Sequence, residues 1–222
     1  ELGCLYQAQG DYDQARRYLE QSLQLYREND YQRQYRVKIL GHLALLSHEW
    51  GENTQASAYG EEAVRFARNL GDTRVAGDAY NRWGRVLVSQ GRLAEAAELF
   101  QQAIIYFRQM EQVNHTTIPL AGMAEVALRR GDLAVAQSWV EPILTHLQTH
   151  QLDRTDEELY VYRVCYQVSR AAKDTRVADL LQLAQEQLQS RAATLDNDCQ
   201  RQMFWSVLSH AEVLAEMPPK HV

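Results

Sequence analysis

Residues 83–104, WGRVLVSQGRLAEAAELFQQAI, hold the pattern on which the fold turns. After Gly91, the apolar or small residues Leu93, Ala96, Ala97, Phe100, Ala103 and Ile104 recur at helical spacing, which makes an amphipathic helix of the second half. The first half runs into the glycine as another amphipathic stretch. A glycine just past a helix end accepts the left-handed backbone conformation that side chains resist, so Gly91 reads as a helix cap and turn. The segment is a helix, a tight turn and a second helix folded back on the first.

The same grammar recurs through the chain. Residues 2–23 read LGCLYQAQGDYDQARRYLEQSL, residues 43–64 LALLSHEWGENTQASAYGEEAV and residues 123–144 MAEVALRRGDLAVAQSWVEPIL. Gly10, Gly51, Gly91 and Gly131 are 41, 40 and 40 residues apart. Each is preceded at seven residues by a small one, Gly3, Ala44, Gly84 or Ala124, and followed at five by Ala15, Ala56, Ala96 or Ala136. A fixed period of this length is the mark of a repeat array, in which each helix pair buries its apolar face only by stacking on its neighbours.

The small residue, glycine turn and alanine resemble the tetratricopeptide repeat (TPR), and the resemblance covers nearly the whole chain. The unit here is lengthened at its junctions, as around Gly71, which is similar to the repeats of bacterial maltose-operon-activator-like regulators and of certain polarity adaptors. The resemblance implies an all-α protein, a right-handed α–α superhelix of antiparallel helix pairs. The expected divisions are a partial unit 1–29, units 31–70, 72–111 and 113–151, a degenerate unit 153–192, a C-terminal capping helix 196–217 and a tail 218–222.

Helix starts are expected at Asp72 and Thr73, at Asp132 and in residues 153–156, where short polar side chains can accept from free helix N–H groups. Pro142 falls inside a second helix and is expected to bend it. The fifth unit has Lys173, Asp174 and Thr175 in place of the turn glycine. Its buried faces are read as Val161, Val164, Cys165 and Val168, then Ala178, Leu181, Ala184 and Leu188. Phe204, Val207, Leu208, Ala211 and Leu214 are expected to give the end helix its apolar side.

Composition narrows the function. A formal net charge of −6 and the absence of any Lys/Arg-rich run argue against direct nucleic-acid binding. Cys4, Cys165 and Cys199 lie far apart, as expected of reduced thiols in a cytoplasmic protein. No apolar run approaches the roughly 20 residues that cross a bilayer, so no membrane partner is expected. The opening at Glu1, in mid-helix and without methionine, reads as an excised part of a longer protein.

No catalytic set is visible. There is no GxSxG, HExxH or glycine-rich phosphate loop, and no enzyme activity or cofactor is expected. His146 and His150 have a metal-ligand spacing but no third ligand, so they read as helix-end histidines. Glu61 with Glu62 and Glu157 with Glu158 read as solvated helix surface. Trp83, Trp139 and the tyrosines Tyr26, Tyr31 and Tyr35 read as packing groups.

In the TPR family the first helix of each unit lines the concave surface. Carried onto this register, that face presents Lys38, His42, Leu45 and His48, then Asp78, Asn81, Arg82, Arg85 and Ser89, then Ala121, Gly122, Glu125 and Arg129, and finally Tyr162, Arg163, Tyr166 and Arg170. Arginine binds carboxylates bidentately, so a groove containing His42, Leu45, Asn81, Arg82, Arg85, Glu125, Arg129, Tyr162, Arg163 and Tyr166 suits a protein or acidic peptide segment. The bland reading pairs these arginines with acidic neighbours along a solvated face. The Lys/Asn/Lys/Arg clamp of chaperone-binding relatives is interrupted at Gly41 and Leu45.

Two functional readings follow: a non-catalytic peptide-binding scaffold, or the effector-sensing repeat domain of a larger signal-transducing ATPase or transcription regulator, in which the effector is a small molecule. The register itself is open to test. Gly84→Leu and Ala96→Trp should each overpack a helix contact and cost about 1–3 kcal/mol, lowering the melting temperature. Unchanged melting in both variants would refute the register.

Overall fold

The computed structural model describes residues 2–28, 32–148, 152, 157–195 and 198–206. Within them the backbone forms eleven helices and no strand: α1 (Leu2–Ala8), α2 (Tyr12–Glu28), α3 (Arg33–Glu49), α4 (Asn53–Leu70), α5 (Thr73–Ser89), α6 (Leu93–Gln109), α7 (Val113–Arg129), α8 (Leu133–Leu147), α9 (Glu158–Ala171), α10 (Val177–Ala192) and α11 (Asp198–Ser206). The molecule is a right-handed α–α superhelix of TPR-like helix pairs.

The turns within pairs repeat one device. Gly10, Gly51, Gly91 and Gly131 have φ between 77° and 83°. At each, the glycine N–H donates three residues back and the next N–H five back, as from Gly131 to Leu128 (3.0 Å) and from Asp132 to Ala127 (3.0 Å). This is the Schellman closure of a helix end. The fifth pair uses it without glycine: Lys173 takes φ 55°, and Lys173 and Asp174 donate to Arg170 and Ser169. The backbone closure therefore survives where the sequence signal lapses. Asp72 caps α5 by accepting from the N–H groups of Arg74 and Val75, and Asp132 caps α8 through Val135.

From α1 to α10 each helix packs on its neighbours in the chain, and the first helices form a continuous row in which α3 meets α5, α5 meets α7 and α7 meets α9. Second helices pack mainly on the first helices either side, so the array curves with the first helices on its inner side. The difference shows in burial. Leu19 and Leu23 form a narrow buried stripe on α2, whereas α5 and α7 are buried over most of their surface.

Missing side chains allow this approach. A Cβ on Gly84 would lie 2.7 Å from Phe100 Cε1, and one on Gly122 would strike the same ring. Phe100, fully buried on α6, thus fills the notch between α5 and α7. Gly60 of α4 makes room for the Trp83 ring, and Gly77 of α5 for Phe107. Gly122 faces Phe100 rather than the groove, and Ala121 is fully buried. The outer row adds ion pairs one repeat apart, Arg27 with Glu62 (3.0 Å) and Arg176 with Glu141 (2.9 Å), whose exposure limits their worth.

Several readings are refined. Val161, Val164, Cys165 and Val168 are buried, but the stripe of α10 is Leu180, Ala184, Leu188 and Ala192, with Ala178 exposed. A helical stripe steps by three or four, and Leu180 sets its phase. Glu157 and Glu158 are not solvated surface; Glu158 is only 2% exposed. Trp139 is half-buried, and Tyr26 stacks on Tyr35 at 5.6 Å. Pro142 lies inside α8, as does Pro119 inside α7. Tyr31, His150, residues 153–156 and the apolar side of the end helix at Val207, Leu208, Ala211 and Leu214 lie outside the described residues.

Removing the Phe100 ring should cost more than removing an exposed apolar side chain of the same helix. Phe100→Ala is expected to lower stability by about 3–5 kcal/mol, and Ile105→Ala, at a side chain 45% exposed, by less than about 1 kcal/mol, both read by denaturant unfolding. Burial also pushes the Cys165 thiol up to about 12, so it should resist alkylation at pH 8 in the folded chain and react on unfolding, while the partly exposed Cys4 reacts first.

Candidate functional site

The inner face is built by the odd-numbered helices. Helical spacing puts Asp78, Arg82 and Arg85 on one side of α5, Glu125 and Arg129 on one side of α7, and Arg163 on the facing side of α9. Between α3, α5, α7 and the start of α9 lies a cavity of about 560 Å³. Val37 and His42 of α3, Val75 and Arg82 of α5, Thr117 and Ile118 of α7, and Leu152, Glu157 and Val161 form much of its wall. Lys38 and Arg74, both exposed, stand on the same wall as cationic groups, and Asp72, Asp78 and Glu158 as anionic ones.

The predicted arginines are drawn into ion pairs. Arg82 Nε lies 3.4 Å and Arg85 Nη1 3.9 Å from Glu157 Oε1, across the groove from α5 to the residue preceding α9. Glu125, 5% exposed, receives Arg129 at 3.1 Å from its own helix and Arg163 at 3.6 Å from α9. The Tyr160 ring sits near both guanidinium groups, 4.4 Å from Arg85 and 5.5 Å from Arg163. Burial and then the Glu125 carboxylate push its phenol well above the ordinary value. The stem of Arg82 crosses α3 where a side chain is missing: a Cβ on Gly41 would lie 2.8 Å from its Cδ.

His42 is buried, with Nδ1 3.2 Å from Gln7 Oε1 of α1. Burial first, then the Arg82, Lys38 and Arg85 cations, hold its imidazole well below the usual range, so it is neutral near pH 7. The Asp78 carboxyl is raised by burial, against the pull of Arg82, with Glu157 adding to the rise. Asn81 is fully buried, and neither its amide nitrogen nor its amide oxygen has a hydrogen-bond partner among the described residues. Tyr162 is buried near Glu158 and Cys165, and burial followed by the Glu158 charge raises its phenol to about 12. Tyr166 is 8% exposed, and Leu45 packs against the core.

The structure thus brings Arg82, Arg85, Glu125, Arg129 and Arg163 into two linked ionic clusters on one face. It leaves Asn81, Tyr162 and most of Tyr166 inside the packing. Sequence reading took Glu157, which links α9 to α5, for solvated surface and passed over Tyr160, which lies near two arginines. Neither falls on a repeat landmark, because the fifth unit has lost its glycine and its entry is not periodic. Reversing the sign of Arg85 or Arg163 would place a carboxylate beside Glu157 or Glu125, so such changes would destabilise the array instead of leaving it untouched.

Among the described residues, no group of three or more His, Cys, Asp or Glu side chains is placed to hold a metal, and no helix is long and apolar enough to cross a membrane. His146 Nε2 instead lies 2.5 Å from Asn114 Oδ1 of the preceding helix.

Known structures share this architecture. The crystal structure of BtubC (BKLC) from P. vanneervenii matches with a TM-score of 0.63 at 18% identity, covering 88% of this chain and 80% of that one. Two crystal structures of the Podosopora anserina putative kinesin light chain with nearly identical TPR-like repeats match at 0.60 and 0.59, with 16% and 17% identity, covering 87% and 88% of this chain and 94% of theirs. No curated protein sequence matches. The likeness to these structures is one of fold. The family model of the MalT-like TPR region matches residues 1–216, and with its period, its glycine closures and its concave row of first helices the chain belongs to that family.

Proposed function

We propose that this chain is a non-catalytic binding module that takes an acidic segment of a partner protein into its concave cavity. One observation carries the reading: a space of about 560 Å³ bounded by successive first helices, its wall part apolar and part charged, with the exposed cations Lys38 and Arg74 beside it. That volume lies within the roughly 300–1,000 Å³ range of ligand clefts. Its lining combines Val37, Val75, Ile118, Leu152 and Val161, which supply contact area, with charges that select sign and orientation. TPR-like arrays serve in general as protein-interaction scaffolds, and the curved row of helices gives an extended segment several units to touch.

The family match supports a second reading of the same cavity. In it the repeats are the effector-sensing part of a larger regulator, and occupancy of the groove alters how the array sits against an attached domain. Both readings place the ligand on the inner face.

A labelled oligoglutamate peptide, with oligolysine as the control of opposite sign, tests the site. Lys38→Glu with Arg74→Glu should weaken oligoglutamate binding by about ten-fold or more, with stability within about 0.5 kcal/mol of the parent because both side chains are exposed. Equal binding by parent and variant would move the site off the inner face.

A further inference from the structure

We infer that Glu157 is an internal occupant of the acidic-ligand site, and that a carboxylate of the partner segment exchanges with it at Arg82 and Arg85. This deepens the proposed reading of the cavity and rests on it. The first observation is topological. Inner-row packing joins each first helix to the next, α5 to α7 and α7 to α9, but the Glu157 pair joins α5 directly to the entry of α9 across the groove. It is a latch over the cavity, whose lining includes both Arg82 and Glu157.

The second observation is the quality of the pair. Glu157 Oε1 is buried at 3.4 Å and 3.9 Å from two guanidinium groups yet makes no hydrogen bond among the described residues. An Arg–carboxylate pair gains most when its N–H groups point at the oxygens at about 2.7–2.9 Å, so this contact has attraction without the directed part of the bond. A carboxylate free to choose its approach can do better than one fixed by the start of a helix.

The third is charge. With Glu157 in place, the cations around the cavity are largely balanced. Without it, Lys38, Arg74 and Arg82 still share the lining with Asp72, Asp78 and Glu158, of which Glu158 pairs with Arg191 at 3.6 Å, but Arg82 and Arg85 lose the Glu157 carboxylate between them. The two guanidinium groups then favour a carboxylate over an amine at the place Glu157 leaves. The groove runs along several helices, which fits an extended peptide rather than a single small acid.

The exchange makes Glu157 a competitor, so removing its charge should strengthen binding. If the latched state dominates, the measured affinity is reduced by the fraction of open molecules. Glu157→Gln should therefore bind oligoglutamate roughly ten-fold more tightly than the parent, and melt at a lower temperature because Arg82 and Arg85 lose the Glu157 charge beside them. Saturating oligoglutamate should then raise the melting temperature of the variant more than that of the parent. Glu157→Asp, with a shorter reach, should shift both quantities in the same direction and serves if the glutamine variant folds poorly.

The outcomes separate the two levels of the account. Tighter binding by Glu157→Gln that is lost again on adding Lys38→Glu and Arg74→Glu supports the exchange. Unchanged affinity in both Glu157 variants, with the rim changes still weakening binding, makes Glu157 a structural staple and overturns the exchange while the groove reading stands. Failure of parent and Glu157 variants alike to bind oligoglutamate overturns both.

Discussion

The close approach of the first helices is the constraint from which the inner face follows. It depends on absent side chains at a few positions. Phe100 occupies the notch left by Gly84 and Gly122, and Arg82 crosses α3 over Gly41. A bulky residue at any of these would push adjacent first helices apart, flatten the curvature and widen the groove. The large aromatic groups of the second helices act as wedges of fixed size, and the glycines opposite them set how far each wedge enters.

That closeness also decides the fate of the polar side chains. On a loosely curved array the arginines of α5, α7 and α9 would be solvated. Here Arg82 and Glu125 are less than a tenth exposed, and groups held so far from water need opposite charges beside them. Glu125 and Glu157 fill that role from α7 and from the entry of α9. Asn81 has no charge and no hydrogen-bond partner among the described residues, and its buried amide opposes folding by an amount its neighbours' packing must offset. The same set of charges therefore joins the end of the array to its middle and shapes the cavity between them.

Much of the fold was legible because it repeats. Gly10, Gly51, Gly91 and Gly131 mark turns that are backbone requirements, and Ala96 or Phe100 mark faces that must be buried; both leave a periodic trace. Lys173 shows the limit of that signal, since the backbone closes in the same way around a residue that carries no cue. The groove was legible as a face but not as a surface. Helical spacing placed Asn81, Arg82 and Tyr162 with Arg85, but it carries no information on how near the neighbouring helix comes, and that distance turns a lining residue into a buried one. Glu157 was hidden for a related reason: its partners lie two units earlier, and no local pattern joins them.

The claim that inner-face arginines act first as counter-ions holding neighbouring helices together is tested most directly by a double-mutant cycle on Arg163 and Glu125. Parent, Arg163→Met, Glu125→Gln and the double variant would be compared by denaturant unfolding. With the two charges 3.6 Å apart and both side chains under a fifth exposed, the cycle should yield a favourable coupling of about 1–3 kcal/mol, with the double variant less destabilised than the sum of the singles. Strictly additive effects would contradict the account, because they would mean that α7 and α9 are held by apolar packing alone.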